Sequence, residues 1–201
     1  MPTARRDVFE RLSSPVIVRH CAVGAAHREE TEAFIRTIFA RHHAARVVSF
    51  APQLIRIERQ GRIVAAAGWR PAATQTLFLE HYLDQPVEKA MARLADRRVP
   101  RERLVEVANL AAEKPGATVH VVQALAAHLD RLGYEWVVFT ATRELISILG
   151  RLGLRVLALA PADPARLGDA AGAWGHYYEQ QPIVVAGRIR LALERIDQRR
   201  R

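Results

Sequence analysis

The spacing of hydrophobic and polar positions changes along the chain, and each change predicts an element. Val16–Cys21 is a short β-branched run and predicts a strand. In Glu29–Ala45 the apolar residues Phe34, Ile35, Ile38 and Phe39 recur at helical spacing, which predicts an amphipathic helix. Leu54–Glu58 and Ile63–Trp69 are strand-like runs on either side of Gln60-Gly61, a hairpin signal. Pro71–Thr76 breaks the pattern. Leu77–Leu83 is apolar with Glu80 and His81 inside it, and Pro86 opens a helix predicted over Val87–Arg97.

The second half alternates more regularly. Leu104–Ala111 predicts a strand that carries Glu106 and Asn109. Glu113–Thr118 reads as a turn in which Thr118 is the N-cap of a helix over Val119–Leu132, stopped by Gly133. Then come a strand at Tyr134–Thr140, a helix at Thr142–Leu152 stopped by Gly153, and a strand at Leu154–Ala160. Asp163 can cap a short helix, Pro182–Ala186 predicts a last strand, and Ile189–Ile196 a last helix that runs on to Arg199–Arg201. The order is α/β (α+β): a mixed, mostly antiparallel sheet with helices on both faces.

Composition narrows the class. Half of the 201 residues are hydrophobic and a quarter are charged, which excludes a disordered chain. One cysteine, Cys21, excludes a disulfide framework and a cysteine-based zinc site, and it reads as a small core residue. No metal is expected. The apolar run Pro15–Val18 is too short for a signal peptide and nothing approaches a spanning helix, so the expected location is the cytoplasm. The net charge of +9 comes almost wholly from arginine, since Lys89 and Lys114 are the only lysines, and it points to an anionic partner.

Five segments carry a resemblance. They are Leu77–Asp84 (LFLEHYLD), Leu104–Ala111 (LVEVANLA), Phe139–Thr142 (FTAT), Arg151–Leu154 (RLGL) and Trp174–Glu179 (WGHYYE). Together they resemble the thermostable hemolysin family of bacteria, across residues 14–187 and most clearly from Ile17 to Gly187. That family is related in fold to the GNAT-like N-acyltransferases, including the acyl-homoserine-lactone synthases. The resemblance implies one GNAT-like domain over residues 1–201, with residues 188–201 as a basic C-terminal helix and tail. It also implies two central parallel strands, Leu104–Ala111 and Tyr134–Thr140, that splay apart. Glu106-Val107-Ala108-Asn109-Leu110-Ala111 keeps the first Glu and last Ala of the synthases' Glu-x-Ser-Arg-Phe-Ala; Arg70 is similar to their third-strand arginine. Of the acetyltransferase phosphate loop only Gly116 fits. A donor other than acetyl-CoA, such as an acyl carrier protein, therefore becomes attractive.

The implied chemistry is transfer of an acyl group from a thioester, on CoA or the phosphopantetheine of an acyl carrier protein, to a small-molecule amine. Such a reaction needs a proton acceptor, oxyanion donors and a held thioester. Glu106 is the candidate base, or else a structural ion-pair partner. Asn109 is a candidate to orient substrate, or a strand-end hydrogen-bonding residue. Arg70 suits a carboxylate or phosphate, or a structural partner among Glu80 and Glu106. Glu80, in an apolar segment, must be paired or functional; His81 is a weaker base candidate. Phe78, Trp174, Tyr177 and Tyr178 are candidates to line an acceptor pocket, with Tyr177 protonating the thiolate, or a packed cap over the sheet edge. The donor is expected against Leu110, Ala111 and Thr140, its phosphates near Gly116, Ala117 and Thr118 at a helix start.

Two other readings compete. The family name suggests a membrane-lytic protein, but only the basic terminal helix could touch anionic lipid, so membrane association is weak at most. Nucleic-acid binding rests on charge alone, without a recognisable motif, and no nucleic-acid partner is expected.

Overall fold

A computed structural model describes residues 16–95 and 98–198. The final two residues of the helix expected over Val87–Arg97, the N-terminal Arg5 and Arg6, and Arg199–Arg201 lie outside the described residues.

The strands are β1 (Val16–Ala22), β2 (Gln53–Arg59), β3 (Arg62–Pro71), β4 (Leu104–Ala112), β5 (Trp136–Ala141), β6 (Leu157–Pro161) and β7 (Ile183–Arg188). They form one sheet in the order β1-β2-β3-β4-β5-β7-β6, antiparallel throughout except for β4 beside β5. The helices are α1 (Arg28–His43), α2 (Val87–Ala95), α3 (Pro115–Arg131), α4 (Arg143–Arg151) and α5 (Ile189–Gln198). The β2–β3 hairpin turns at Gln60 and Gly61 with φ of 52° and 72°, the doubly left-handed turn that matches strand twist.

Several boundaries differ from expectation. Helix α3 starts at Pro115, with Lys114 as N-cap, so Thr118 sits buried in the first turns instead of capping them. Proline at the first helical position has no N–H to lose and a φ already set for helix. Gly133, Leu154 and their neighbours close the preceding helices through N–H bonds to Asp130 and Leu149 carbonyls, which delays β5 to Trp136 and β6 to Leu157. Leu77–Leu83 is largely a 3-10 turn, Phe78–Tyr82. Its Leu77 and Leu79 are fully buried, each worth about 2 kcal/mol of transfer free energy.

The alternation along β4 determines which side chains meet. Val105, Val107, Leu110 and Ala112 pack with α3 and α5 on one face. Leu104 joins the cluster beneath the Phe78–Tyr82 turn on the other face, and Ala111 the cluster beneath α1. The period of two slips at Asn109, which has φ 52° and lies in a bulge opposite β3, where the register jumps between Ala66 and Gly68. Glu106 shares the face of Leu104 and Ala111, in the gap between those two clusters.

Candidate active site

Strands β4 and β5 pair only from Leu104 with Trp136 to Glu106 with Val138. Beyond those residues they part, and a cleft of about 250 Å³ opens. One wall is α1, through Phe39, His42 and His43. Another is aromatic, from Phe78, Tyr82, Trp174 and Tyr177. The far end is Lys114 and Thr118 at the start of α3, with Thr140 of β5 and Thr142 at the N-cap of α4.

Glu106 lies at the point where the strands part and is 3 % exposed. Its carboxylate accepts the N–H of Phe78 at 3.0 Å and of Leu79 at 2.9 Å. Arg70 Nε stands 3.2 Å from the same carboxylate, without the alignment of a directed hydrogen bond. Burial pushes the Glu106 carboxyl up, more than Arg70 and the two N–H groups pull it down. Arg70 and Glu106 are cross-strand neighbours in register, which explains their meeting.

Glu80 and His81 do not reach the cleft. Glu80 accepts the N–H groups of Leu77 (2.8 Å) and Val87 (3.0 Å) and a two-pronged contact from Arg101 (2.7 and 2.8 Å). Arg101 also holds Glu88 and the Ala72 carbonyl. This is a fastening for the 71–103 segment, and every lone-pair direction of Glu80 is taken. His81 is exposed, its Nδ1 2.8 Å from the Phe78 carbonyl.

Asn109 lines the cleft, but its amide is engaged: Oδ1 accepts the Ala51 N–H at 3.0 Å and Nδ2 reaches the Ser49 carbonyl at 3.4 Å. It pins the loop before β2 against the bulge. Tyr177 lines the cleft beside His43 and Trp174, ring centroids 5.3 Å from each. Burial raises its phenol above the ordinary value, which makes it a hydrogen donor at neutral pH rather than a phenolate. Tyr178 lies behind the cleft, its hydroxyl 2.6 Å from that of Tyr82. Of the residues expected to hold the donor, Leu110, Thr118 and Thr140 line the cleft. Gly116 and Ala117 follow Lys114 in the first turn of α3, while the bulge turns Ala111 onto the α1 side.

Two residues outside the expected site also contribute. His42 and His43 end α1, within a stretch read only as amphipathic helix. The loop across the cleft holds them there: the His43 carbonyl accepts the His176 N–H, and the Ala173 carbonyl the Arg46 N–H, both at 2.7 Å. Gly175 makes this approach possible. With φ 52°, it passes so close that a Cβ would lie 2.3 Å from the His43 carbonyl oxygen. Their one sequence signal is a pair of consecutive histidines at a helix end, and only the tertiary fold gives that pair a cleft to face.

A smaller cavity of about 90 Å³ lies on the other side of the sheet under α3, α4 and α5. It is apolar apart from Arg188, and it shares Val107, Leu110, Phe139 and Leu145 with the cleft. Among the described residues no group of three or more His, Cys, Asp or Glu is placed to hold a metal.

The thermostable hemolysin family model matches residues 21–193, most of the chain. This protein belongs to the thermostable hemolysin family. The match ends at residue 193, within α5. No curated protein sequence matches the chain. Solved structures share the fold at low identity. The acyl-homoserine-lactone (AHL) synthase LasI superposes with a TM-score of 0.60 at 12 % identity, over 90 % of this chain and 95 % of that one. FeeM, an N-acyl amino acid synthase from uncultured soil microbes, gives 0.63 at 12 %, over 90 % and 94 %. BjaI, a CoA-dependent acyl-homoserine-lactone synthase seen with isopentyl-CoA, gives 0.60 at 13 %, over 92 % and 89 %. The fold is therefore that of the GNAT-like acyl synthases. Among the described residues no helix is long and apolar enough to cross a membrane.

Proposed function

We propose that this member of the thermostable hemolysin family is an N-acyltransferase, a single GNAT-like domain that moves an acyl group from a thioester to the amine of a small molecule. The observation that carries the reading is the parting of β4 and β5 beyond Glu106 and Val138, which opens the cleft through the middle of the sheet. Parted strands leave backbone N–H and C=O groups without ladder partners, and an extended amide-bearing arm such as pantetheine can complete them.

The ends of the cleft suit the ends of such a donor. The first turn of α3 offers a positive dipole end, with Lys114 beside it, to the donor's phosphate. The apolar cavity sharing Leu110 and Phe139 with the cleft suits a fatty acyl tail better than an acetyl group. Arg70 gives a guanidinium for an acceptor that bears a carboxylate, close to the ring wall of Phe78, Trp174 and Tyr177. Tyr82 or Tyr177 can donate to the tetrahedral oxyanion, since both phenols are held protonated by burial. That LasI and FeeM are acyl synthases of the same fold supports this assignment. The donor is acyl-CoA or acyl carrier protein.

The test is direct. Purified protein incubated with labelled long-chain acyl-CoA or acyl carrier protein and a pool of amino acids and polyamines should form an acyl-amide, seen by mass spectrometry, with release of thiol. No amide from either donor class sinks the proposal. A liposome-leakage assay addresses the lytic reading that the family's name invites; no leakage is expected at micromolar protein.

A further inference from the structure

We propose that His43, at the end of α1, is a catalytic residue that takes the proton from the acceptor ammonium. This rests on the acyl-transfer reading above.

The cleft needs a base, and Glu106 is poorly placed to be one. Its two oxygens already receive the Phe78 and Leu79 N–H groups and lie against Arg70. It holds the Phe78–Tyr82 turn, and a proton there would weaken its pairing with Arg70 and with both N–H groups. Glu113 and Glu144 stand at the exposed rim. His43 is the half-buried imidazole of the wall. Its Nδ1 is buried and has no hydrogen-bond partner. With Nδ1 enclosed by protein, Nε2 is the nitrogen left to take a proton from the cleft. The ring is fixed edge-on to Tyr177 at 5.3 Å and leans on Phe39 at 5.7 Å, while its own carbonyl is clamped by His176. The base is thus held rigidly, as general-base catalysis requires.

Its charge environment fits. Burial lowers the proton affinity of His43, His42 on the same helix lowers it further, and Glu144 of α4 raises it. Tyr177 faces it from the 3-10 turn Tyr177–Gln180, and Arg70, Glu106, Glu113 and Lys114 are further charged groups lining the cleft. A neutral imidazole at pH 7 is the form that accepts a proton. The ammonium gives one proton to His43, and the free amine attacks the thioester carbonyl. The C–N bond forms and the C–S bond breaks. The second amine proton passes to the departing thiolate, and His43 returns its proton to water.

The experiment compares amide formation by wild type, His43→Ala and His43→Gln as a function of pH, with circular dichroism to confirm folding. The expected result is a loss of at least about 10²-fold in kcat/KM at pH 7 in both variants. The limb of the pH profile that belongs to an imidazole should vanish, and added imidazole should restore part of the activity of His43→Ala. In wild type, the NMR titration of the His43 ring should coincide with the kinetic limb, a measurement that needs no variant to fold. Activity within about threefold of wild type, loss without imidazole rescue, or a His43 titration that misses the kinetic limb overturns this role alone. A wild-type protein that makes no amide overturns the acyl-transfer reading, and this role with it.

Discussion

Glu80 and Glu106 are two carboxylates in apolar surroundings that serve the same 3-10 turn, and they end up with opposite properties. Glu80 accepts the Leu77 N–H, while Glu106 accepts those of Phe78 and Leu79, so three consecutive N–H groups are divided between them. Burial pushes both carboxyls up. At Glu80 the Arg101 hydrogen bonds, then the Val87 and Leu77 N–H groups, outweigh burial and hold the carboxyl at about 2. At Glu106 burial outweighs Arg70 and two N–H groups, and the carboxyl stays above the ordinary range. The difference lies in the partners, not in hydrophobicity. Arg101 grips Glu80 with two prongs, whereas Arg70 meets Glu106 with one poorly aligned nitrogen. A saturated carboxylate fastens a segment; an under-compensated one beside a cleft leaves charge and a guanidinium for a ligand.

Replacing Glu106 should give the largest effect. In Glu106→Gln the new amide group faces a backbone N–H, one buried donor is orphaned and Arg70 loses its countercharge. The expected cost is about 3 kcal/mol of stability, measured by urea unfolding. Amide formation per folded molecule should fall at least about 10²-fold. A folded variant with wild-type turnover would make Glu106 a second fastening and erase the contrast with Glu80.

Arg101→Ala tests the other side. It leaves Glu80 and Glu88 facing one another without a cation, and should cost about 2–3 kcal/mol, discounted for a guanidinium one quarter exposed. Turnover per folded molecule should stay within about threefold of wild type, because the cluster lies off the cleft. A selective loss of turnover would show that the 71–103 segment carries chemistry as well as structure.

The two carboxylates should also differ in the sign of their pH dependence. The carboxyl of Glu80 is depressed, so its contribution is full above the ordinary carboxylate value of 4.5 and is lost as pH falls toward about 2. The carboxyl of Glu106 is raised, so its contribution is full below the ordinary value and is lost as pH rises through its folded-state value. Urea unfolding of Glu80→Gln and Glu106→Gln beside wild type, from about pH 3 to pH 8, should give difference curves of opposite slope. Parallel curves would put both groups in one class.

The same contrast marks what the sequence could reveal. Both glutamates stand out in apolar runs, and the order of strands and helices predicts the mixed sheet. The resemblance adds the splay of β4 from β5, which is observed. Which glutamate is saturated depends on Arg101, from far along the chain, and on the folding of Leu77–Tyr82 as a 3-10 turn; neither leaves a periodic trace. Pro115 reads as part of a turn, yet it opens α3 and moves Thr118 into the helix. His43 shows in the sequence only as one of two consecutive histidines, because its setting is made by the return of Gly175 across the end of α1.

The smallest effect sharpens the comparison within the aromatic wall. Tyr82 is 3 % exposed and faces the cleft, and its hydroxyl is tied to Tyr178 behind it at 2.6 Å. Tyr178→Phe removes that tie without touching the cleft surface. The cost should be about 1 kcal/mol, the usual size of one such hydrogen bond. If the Tyr82 hydroxyl is a fastening like Glu80, turnover is unchanged and only stability falls. If it donates to the oxyanion, its release from Tyr178 frees it for the ligand, and KM or kcat shifts by a few-fold while Tyr82→Phe loses more. We expect the second pattern. Tyr82 stands on the turn held by Glu106, so a donor there is positioned by the carboxylate whose charge is least compensated.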